Sequence, residues 1–366
     1  MAIFTDVFED VTKQGRKIPT SDYHETGVHP IIDQGQSAIA GYTDETDGLF
    51  TDVPAIIFGD HTRVLKYVDT PCFLGADGVK LLKTKIANPN YKYLYYVLSN
   101  TNIPNTGYNR HFKWLKEVNI PLPDADKQQE IVDTLDKISE LIALRKAQLA
   151  KLDQLVKSRF IELFGDTKTN ECQWNTLPLH KVLESGSSVS YGIVQTGDDI
   201  EGGVPVFRPI DIAGGKIPQR EQLKRTANDI SNQYSRTLLK GYELLITVRG
   251  SVGETFRVTS EFAGCNVGRN IVPLRFDTEI VDYSFMQHFF AQEGTKRVLE
   301  SMTKGIALQG LNMSEFREID VIIPAMSLQQ QFAAFVEQTD KSKLAIQQSL
   351  DKLETLKKSL MQKYFG

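Results

Sequence analysis

The residues of this chain that could carry out chemistry do not form a recognisable catalytic motif. Asn88-Pro89-Asn90-Tyr91 comes nearest, because adenine methyltransferases hold a flipped base with an [N/D]-P-P-[Y/F] loop. This segment lacks the second proline, and no F-x-G-x-G segment for S-adenosylmethionine accompanies it. Because proline and asparagine favour turns, we interpret it as a turn that precedes a helix.

Three further catalytic or nucleotide-binding signatures are missing from the sequence. A common class of metal-dependent nuclease needs an acidic residue followed by E-x-K, and no E-x-K occurs. The chain also contains no G-x-x-x-x-G-K-[S/T] phosphate loop and no G-x-S-x-G nucleophile elbow. These absences favour a non-catalytic protein that binds a target while partner proteins perform the chemistry.

The cysteines and histidines do not indicate a metal site. Cys72, Cys172 and Cys265 lie about 90 to 100 residues apart, and none belongs to a C-x-x-C pair. We expect three buried thiols in a reducing compartment, and the six histidines are equally scattered. No apolar run approaches the ~20 residues that span a bilayer, and the acidic N-terminus lacks a signal-peptide core. We therefore expect a cytoplasmic location.

Charge is unevenly distributed along the chain. The formal net charge is −4, which by itself argues weakly against binding to nucleic acid. Residues 1–49 carry −6 (three Lys/Arg against nine Asp/Glu), whereas residues 50–116 carry +5 (nine against four) and residues 200–275 carry +4 (eleven against seven). A DNA backbone responds to local patches rather than to the total charge, so two basic stretches are compatible with a nucleic-acid partner.

These basic stretches and the loops beside them contain polar residues suited to reading DNA. Base edges are read by Arg, Lys, Asn, Gln, Ser or Thr that reach a groove, while phosphates attract cations and amides. The candidates are His61, Arg63, Lys66, Tyr108, Asn109, Arg110 and His111 in the first half, and Tyr191, Gln195, Arg208, Arg249, Ser251, Arg269, Lys304, Gln309 and Asn312 in the second. For each residue the alternative is a solvated loop side chain or a structural ion pair.

An internal repeat indicates which elements hold these candidates in position. Two segments align without a gap: IPLPDADKQQEIVDTLDKISELIALRKAQLAKLDQLVKSRFIELFG, ending at Gly165, and VIIPAMSLQQQFAAFVEQTDKSKLAIQQSLDKLETLKKSLMQKYFG, ending at Gly366. The offset is a constant 201 residues, so that Leu149 falls on Leu350. Two unrelated amphipathic helices would not keep this offset, so we interpret the segments as two copies of one element.

Each copy is predicted to be one long helix. In the first copy, apolar residues recur at steps of three, four or seven from Ile131 to Leu163, which is an interrupted heptad pattern. We expect Asp126 and Ser327 to cap the two helix N-termini. A helix of about 39 residues is roughly 58 Å long, longer than a small domain is wide. The two helices are therefore predicted to act as a spacer.

The residues that precede the two helices, 1–121 and 167–322, are predicted to form two similar domains. Strand-like segments are VPAIIFGDHTRVLKYV and VKLLKT in the first, and ELLITVRGSVGETFRVT and NIVPLRF in the second. A short helix follows in each (YKYLYYVLSN or DYSFMQHFFAQ), and a loop, a small helix and a strand close both domains. The order of elements matches although the residues mostly differ, so we expect one fold with two different surfaces.

The order of these parts predicts their topology. The first helix, within residues 122–166, leads from the first domain to the second, and the second helix, within residues 323–366, follows the second domain. If the helices pair along their length, they run antiparallel, and an approximate two-fold axis relates the two halves. The predicted fold class is α+β: two similar α/β domains separated by two long antiparallel helices that form a coiled coil, with pseudo-two-fold symmetry.

Local motifs add to this arrangement. They are GDHTRVLKYVDTPCFLGADGVKLL and KQQEIVDTLDKISELIALRKAQLAKLDQLVKSRFIELFGD in the first half, and YGIVQTG, GYELLITVRGSVGE and the IP…LQQQF helix in the second. Together with the order of domains and helices, they resemble the specificity subunits (HsdS) of type I restriction–modification systems. The resemblance covers essentially the whole chain.

This resemblance implies a non-catalytic subunit that gives a DNA-modifying complex its sequence specificity. Two target-recognition domains would each bind one half of a split double-stranded DNA target. The paired helices would set the gap between the half-sites and dock two methyltransferase (HsdM) subunits, and restriction (HsdR) subunits would join them. No cofactor is expected in this chain: S-adenosylmethionine is expected on the methyltransferase partner, and ATP and Mg on the restriction partner. The compartment would be a bacterial or archaeal cytoplasm.

Two other functions stay open at this point. The chain could be a coiled-coil scaffold without DNA recognition, or the specificity module of another restriction–modification type. Two similar domains with dissimilar loops argue against a scaffold, because assembly alone does not require two different surfaces. A self-sufficient methyltransferase is disfavoured by the missing catalytic and cofactor motifs.

Overall fold

The chain forms two compact units that share two long helices. The computed structural model describes residues 1–75, 77–107, 109–215, 218–304 and 310–366. Unit 1 comprises Met1–Ala147 and Gln347–Gly366, and unit 2 comprises Gln148–Ile346. Each unit therefore contains one complete set of short strands and helices together with part of both long helices.

Most elements of unit 1 are short. Its strands are β1 (Ala2–Ile3), β2 (Phe8–Asp10), β3 (His29–Ile32), β4 (Gly41–Thr43), β5 (Ala55–Gly59), β6 (Leu65–Val68), β7 (Phe73–Leu74), β8 (Val79–Thr84) and β9 (Asn119–Ile120). Its helices are α1 (Phe4–Val7), α2 (Tyr91–Ser99), α3 (Phe112–Leu115) and the first part of α4 (Ala125–Phe164). Asn90 caps α2, since its Oδ1 accepts a hydrogen bond from Tyr93 N at 3.0 Å, which confirms a turn before a helix at this place.

Two sheets and one strand pair make up the β-structure of unit 1. An antiparallel sheet has the order β2-β8-β5-β6, a mixed sheet has the order β4-β3-β7 with β3 and β7 parallel, and β1 pairs with β9. Because successive residues of a strand point to opposite faces, β5 contributes to two cores. Ile56 and Phe58 pack in the core that contains α2, whereas Ala55 and Ile57 pack in the core on the other face. The loops that follow β5 therefore start from a fully buried strand.

Unit 2 carries the same kinds of elements. Its strands are β10 (Thr176–Pro178), β11 (Val204–Phe207), β12 (Lys224–Thr226), β13 (Leu244–Thr247), β14 (Thr255–Arg257), β15 (Asn266–Val267), β16 (Ile271–Leu274), β17 (Thr303–Lys304), β18 (Gly310–Leu311) and β19 (Asp320–Ile322). Its helices are the rest of α4, then α5 (Pro209–Ile212), α6 (Asn228–Gln233), α7 (Tyr283–Ala291), α8 (Glu293–Ser301), α9 (Met313–Arg317) and the first part of α10 (Met326–Phe365).

The sheets of unit 2 repeat the connectivity of unit 1. The antiparallel sheet β14-β13-β16 corresponds to β6-β5-β8, and the mixed sheet β12-β11-β15 corresponds to β4-β3-β7. The parallel neighbours are β11 and β15, as they are β3 and β7 in unit 1. The pair β10-β19 corresponds to β1-β9. The expectation of two similar α/β domains is thus confirmed, although few residues coincide.

The two long helices keep the sequence offset of the repeat. Helix α4 spans Ala125–Phe164 and helix α10 spans Met326–Phe365, so each has 40 residues and both ends differ by 201 positions. Asp124 caps α4, because its Oδ1 accepts a hydrogen bond from Lys127 N at 2.8 Å. The expected caps, Asp126 and Ser327, are wrong, since both residues lie within the first turn of their helices.

Within each unit, the portions of α4 and α10 run antiparallel. In unit 1, Lys146 Nζ lies 2.8 Å from Glu354 Oε1, and residues near the C-terminus of α10 pack on the core formed by the start of α4. In unit 2, Lys343 Nζ lies 2.7 Å from Asp153 Oδ1. The predicted antiparallel pairing is confirmed by the direction of the helices in both units.

An aromatic cluster anchors the long helices in unit 2. Phe160 and Phe164 of α4 pack on Phe285 of α7 and Phe332 of α10, with ring centroids 4.9 to 5.6 Å apart. All four side chains are fully buried. The heptad pattern does not include Phe160 and Phe164. These side chains pack in the domain core, against α7 as well as against α10.

The cysteine expectation needs one correction. Cys72 and Cys265 are buried, and burial raises the pKa of each thiol to about 11. Cys172 is exposed, because it lies in the turn that follows α4 rather than in a strand.

The aromatic cluster generates a stability prediction. Phe160→Ala should lower the free energy of unfolding by about 3–5 kcal/mol, because it removes a fully buried ring and leaves a cavity. Leu155→Ala on the same helix is the matched control, since Leu155 is 49% exposed, and it should cost far less. Chemical denaturation of the two variants checks the difference, and equal effects would contradict the assignment of Phe160 to the core.

Candidate nucleic-acid interface

The first group of candidates lies on two neighbouring segments of unit 1. One is the turn of residues 59–64 between β5 and β6, and the other is the segment that precedes α3. His61 Nδ1 lies 3.2 Å from the carbonyl oxygen of Asn109. Arg63 Nη1 donates a hydrogen bond to the carbonyl oxygen of Ile103 at 3.2 Å. The fold therefore brings together two groups of candidates that are about 40 residues apart in sequence.

Two candidates of unit 1 lie inside the fold. Lys66 is 8% exposed, and its Nζ lies 3.3 Å from Asp33 Oδ1. His111 is fully buried, and its Nδ1 lies 3.0 Å from the carbonyl oxygen of Asp60. Both side chains are buried and have structural partners, so neither is accessible to a ligand at the surface.

The remaining candidates of unit 1 differ in how they are held. Asn109 is exposed, and its Nδ2 donates a hydrogen bond to the carbonyl oxygen of Thr106. Arg110 is exposed, and within the described ranges no hydrogen bond or ion pair holds its guanidinium. Tyr108 lies outside the described residues. Arg110 is thus the cation of this segment that is available to a ligand.

Gln34 joins these loops, and the sequence contains no signal for it. Its Oε1 accepts a hydrogen bond from His61 N at 3.2 Å, and its Nε2 donates to the carbonyl oxygen of Asp77 at 3.1 Å. Its own carbonyl oxygen accepts from Thr62 Oγ1 at 2.6 Å. Gly78 has a φ of +82°, and a Cβ there would lie 2.6 Å from Gln34 Oε1, so the close approach requires glycine. Through its side chain and its backbone, Gln34 thus connects its own loop to the loops at residues 61–62 and 77.

In unit 2, the segment of residues 191–195 lies along β15. Ile193 N donates a hydrogen bond to the carbonyl oxygen of Val267 at 2.8 Å. Gly268 N donates to the carbonyl oxygen of Phe207 at 2.9 Å, which places Arg208 beside the same turn. The candidates Tyr191, Gln195 and Arg269 are exposed around this edge.

Arg208 has a partner of its own. Its Nε and Nη2 donate to the two carboxylate oxygens of Asp211 at 3.1 and 2.9 Å. The hydrogen bonds that the guanidinium donates to Asp211 raise its pKa. Its side chain is 43% exposed, but the planar donor group is already engaged in a two-point interaction. Arg208 and Asp211 thus form a structural ion pair, which is the alternative to DNA binding for this residue.

Two further candidates of unit 2, Arg249 and Ser251, lie in the loop between β13 and β14. Leu311 N donates to the carbonyl oxygen of Val248 at 2.9 Å, and Arg249 forms an isolated bridge with Gly310. Arg249 and Ser251 are exposed, and within the part of the chain that the structure describes no hydrogen bond or ion pair holds the Arg249 guanidinium.

Three candidates of unit 2 offer less to a ligand or cannot be placed. Asn312 caps α9, because its Oδ1 accepts from Ser314 N at 3.0 Å. Gln309 lies outside the described residues, and for Lys304 only the backbone is described. Among the candidates of unit 2 whose side chains the structure describes, Arg249 and Arg269 are the exposed cations for which no ion pair is seen.

Equivalent backbone hydrogen bonds show that the candidate loops lie at the same edge of the repeated fold. His111 N donates to the carbonyl oxygen of Asp60 at 2.8 Å, as Leu311 N does to Val248 at 2.9 Å. In the same way, the hydrogen bond from Gly75 N to Ile32 in unit 1 corresponds to that from Gly268 N to Phe207 in unit 2. Each unit thus presents, on the same backbone frame, a surface of different side chains.

The structure defines a class of protein in which one fold is repeated, two different loop surfaces lie at the same edge of that fold, and two long helices join the repeats. Residues 4–154 and 195–357 match the family described as the type I restriction modification DNA specificity domain. The match covers most of the chain, so the chain belongs to this family. The resemblance stated from the sequence motifs is confirmed.

Relatives and a solved structure agree with this assignment. The chain is 22% identical over 278 residues to the specificity subunit of the type I restriction enzyme EcoBI of Escherichia coli, covering 69% of this chain and 58% of that one. It is 22% identical over 336 residues to the EcoR124I/EcoR124II specificity subunit of Escherichia coli, covering 88% and 82%. The S subunit of a type I restriction–modification system from M. genitalium shares the fold, with a TM-score of 0.57, 17% identity and coverage of 100% and 95%.

Two further properties concern the described residues. Across these ranges, no group of three or more His, Cys, Asp or Glu is arranged to hold a metal ion. None of the helices described combines the length and the apolar character needed to cross a membrane.

The contact at Gly192 generates a prediction about the 191–195 segment. A Cβ at Gly192 would lie 1.8 Å from the carbonyl oxygen of Val267, whereas a Cβ at Gly268 would meet its nearest atom at 3.4 Å. Gly192→Ala should therefore lower the free energy of unfolding by about 3 kcal/mol, because the segment must leave β15. Gly268→Ala is the matched control and should be tolerated in a thermal melt. Equal midpoints for the two variants would refute the close approach.

Proposed function

We propose that this chain is the DNA sequence-specificity subunit of a type I restriction–modification complex. Residues 1–121 and 167–322 are assigned as target-recognition domains, each of which binds one half-site of a bipartite double-stranded target. Residues 122–166 and 323–366 are assigned as the spacers that set the gap. The observation that carries this proposal is the repeated frame, which presents different loop residues at the same edge of each unit.

The exposed arginines give the proposed surfaces their chemistry. Arg110 in unit 1 and Arg249 and Arg269 in unit 2 are exposed, and their guanidinium groups are not held by other residues within the described ranges. A guanidinium can donate two hydrogen bonds to the O6 and N7 atoms of guanine, or it can bind phosphates. Because these residues follow buried strands or hydrogen-bonded turns, their positions are defined before DNA binds.

Methyltransferase docking is proposed for the long helices. Leu141 and Leu144 of α4 and Leu356 of α10 are exposed in unit 1, as are Leu155 and Leu344 in unit 2. Leu141 and Leu144 are three residues apart and therefore lie on one face of α4. Removal of such side chains from water against partner helices would favour a complex by about 25 cal/mol per Å² of apolar area, from which the entropic cost of association is subtracted. Two methyltransferase (HsdM) subunits are the proposed partners, and restriction (HsdR) subunits would complete the nuclease.

The proposed division of labour leaves the chemistry to those partners. S-adenosylmethionine would bind the methyltransferase partner, and ATP and Mg the restriction partner, in a bacterial or archaeal cytoplasm. This chain would select the sequence and hold the enzymes on it.

Sequencing of methylated bases tests this function directly. The full chain is expressed with a methyltransferase partner in cells that lack other methyltransferases. A split consensus, with two defined half-sites and a fixed gap, is the expected result, and it should vanish when this chain is omitted. Methylation that does not depend on the chain would refute the proposal.

Arg249 provides a test of base reading by unit 2. Arg249→Ala should weaken specific DNA binding by about tenfold and relax one position of one half-site, since one bidentate contact contributes about 1–3 kcal/mol of discrimination. Arg236→Ala is the matched control: Arg236 is also exposed, but its backbone accepts from Arg275 at the opposite end of β16. Binding titrations and the methylated consensus check both variants. Unchanged affinity and consensus in Arg249→Ala would remove it from the interface.

Lengthening both helices tests the spacer role. Four residues of helix-favouring sequence are inserted after Ala147 in α4 and after Ile346 in α10, where the two units divide the helices. Four residues add about 6 Å of helix, between one and two base-pair steps of 3.4 Å. The gap in the methylated consensus should lengthen accordingly while both half-sites stay unchanged. An unchanged gap would show that the helices do not measure it.

A further inference from the structure

The pair formed by Asp60 and His111 in unit 1 is replaced by an apolar pair in unit 2. In both units the same backbone hydrogen bond joins the two positions. Asp60 and His111 are 3% and 0% exposed, and Val248 and Leu311, which the corresponding hydrogen bond joins in unit 2, are 2% and 6% exposed. The 201-residue offset of the repeat pairs His111 itself with Asn312, the cap of α9, so Leu311 matches His111 by its hydrogen bond and not by its place in the sequence. The same buried place in the fold is thus polar in one unit and apolar in the other.

The polar pair makes three hydrogen bonds across the two segments. The carbonyl oxygen of Asp60 accepts from His111 N at 2.8 Å and lies 3.0 Å from His111 Nδ1. Asp60 Oδ1 accepts from Phe112 N at 2.7 Å. The side chain of Asp60 therefore binds the first residue of α3, Phe112. The backbone carbonyl oxygen of Asp60 binds the preceding residue, His111.

The far side of the imidazole contacts the loop itself. His111 Nε2 lies 3.5 Å from Thr106 N and 3.4 Å from Thr106 Oγ1. A backbone N–H can only donate, so Nε2 accepts and Nδ1 carries the proton that is donated to Asp60. One ring thus connects the loop at residue 106 to the turn at residue 60.

Packing alone does not require this polar pair. A buried carboxylate and a buried imidazole cost free energy unless their hydrogen bonds are made, and unit 2 fills the same place with two aliphatic side chains. Hydrogen bonds are directional, so they fix the two segments in one relative arrangement. Apolar contacts alone would allow one segment to shift against the other.

We propose that Asp60 and His111 are positioning residues for base reading by unit 1. They fix the segment that contains Arg110 against the turn that carries Arg63, so that Arg110 meets one half-site in a set geometry. Arg63 supports this arrangement, because it reaches the carbonyl oxygen of Ile103 at 3.2 Å from a backbone with φ of +64°. The inference rests on the proposed function and predicts that loss of the pair affects one half-site only.

The test introduces the residues of unit 2 into unit 1. Asp60→Val removes the acceptor for Phe112 N, and His111→Leu removes the link to Thr106. In the full chain with its methyltransferase partner, each variant should reduce discrimination against single mismatches about tenfold in one half-site and leave the other half-site sharp. Asp60→Asn keeps an oxygen acceptor for Phe112 N and should retain most of the discrimination.

A matched control separates positioning from general destabilisation. Ile18→Ala removes packing from a separate small core of unit 1, where Ile18 is 3% exposed and lies outside the core that contains Phe112. This variant should lower the thermal midpoint while both half-sites stay sharp. Hydrogen exchange supplies a second measurement: Asp60→Val should speed exchange in residues 101–107 and 109–111, while β5 and β8 stay protected.

Each outcome decides the proposal. Unchanged discrimination at both half-sites in Asp60→Val and His111→Leu would overturn the proposal, as would an equal loss of discrimination in Ile18→Ala. If Asp60→Val does not fold, the double variant Asp60→Val/His111→Leu, which reproduces the apolar pair of unit 2, should fold and still broaden one half-site; a sharp consensus there overturns the proposal. A wild-type chain that directs no split consensus refutes the proposed function itself, whereas a sharp wild-type consensus with unchanged variants refutes only the positioning role.

Discussion

The core of each unit is completed by residues from a distant part of the sequence. In unit 1, the last 20 residues of the chain return to the first domain, where the ring of Phe365 lies 5.7 Å from that of Tyr93. In unit 2, Phe160 and Phe164 of the first long helix are buried among rings of α7 and α10. Because burial of apolar surface is the main driving force of folding, neither core is complete without both long helices. This constraint also determines where the loops begin, since the sheets that carry them pack on the same cores.

The division between buried frame and variable loops explains how one fold can present two surfaces. Corresponding strands and backbone hydrogen bonds recur in both units, whereas the side chains on the loops differ. A rigid sheet tolerates changes in its loops because their side chains contribute little to the core. The polar pair of Asp60 and His111 and the apolar pair of Val248 and Leu311 show that the boundary between frame and surface can also vary in chemistry while the backbone is retained.

The candidate residues separate according to their partners in the folded chain. Arg110, Arg249 and Arg269 were selected by residue type and local motif, and all three are exposed. Lys66 and His111 were selected in the same way and are buried, while Gln34 was not selected although it joins three loops. Residue type indicates what a side chain can bind, but the identity of its partner depends on segments that are distant in sequence. Asp33, for example, lies 33 positions before Lys66 and forms an ion pair with its ammonium group.

By itself, the amino-acid sequence determined the repeat, the length and offset of the two helices, and the order of elements in both domains. These features depend on periodicity, turn residues and gapless alignment, all of which are local or directly comparable along the chain. Only the tertiary structure decided that Asp124 caps α4, that Phe160 and Phe164 belong to a domain core, and which cations remain exposed. The physical reason is that burial and hydrogen-bond pairing are properties of contacts between distant segments, and such contacts exist only once the chain has folded.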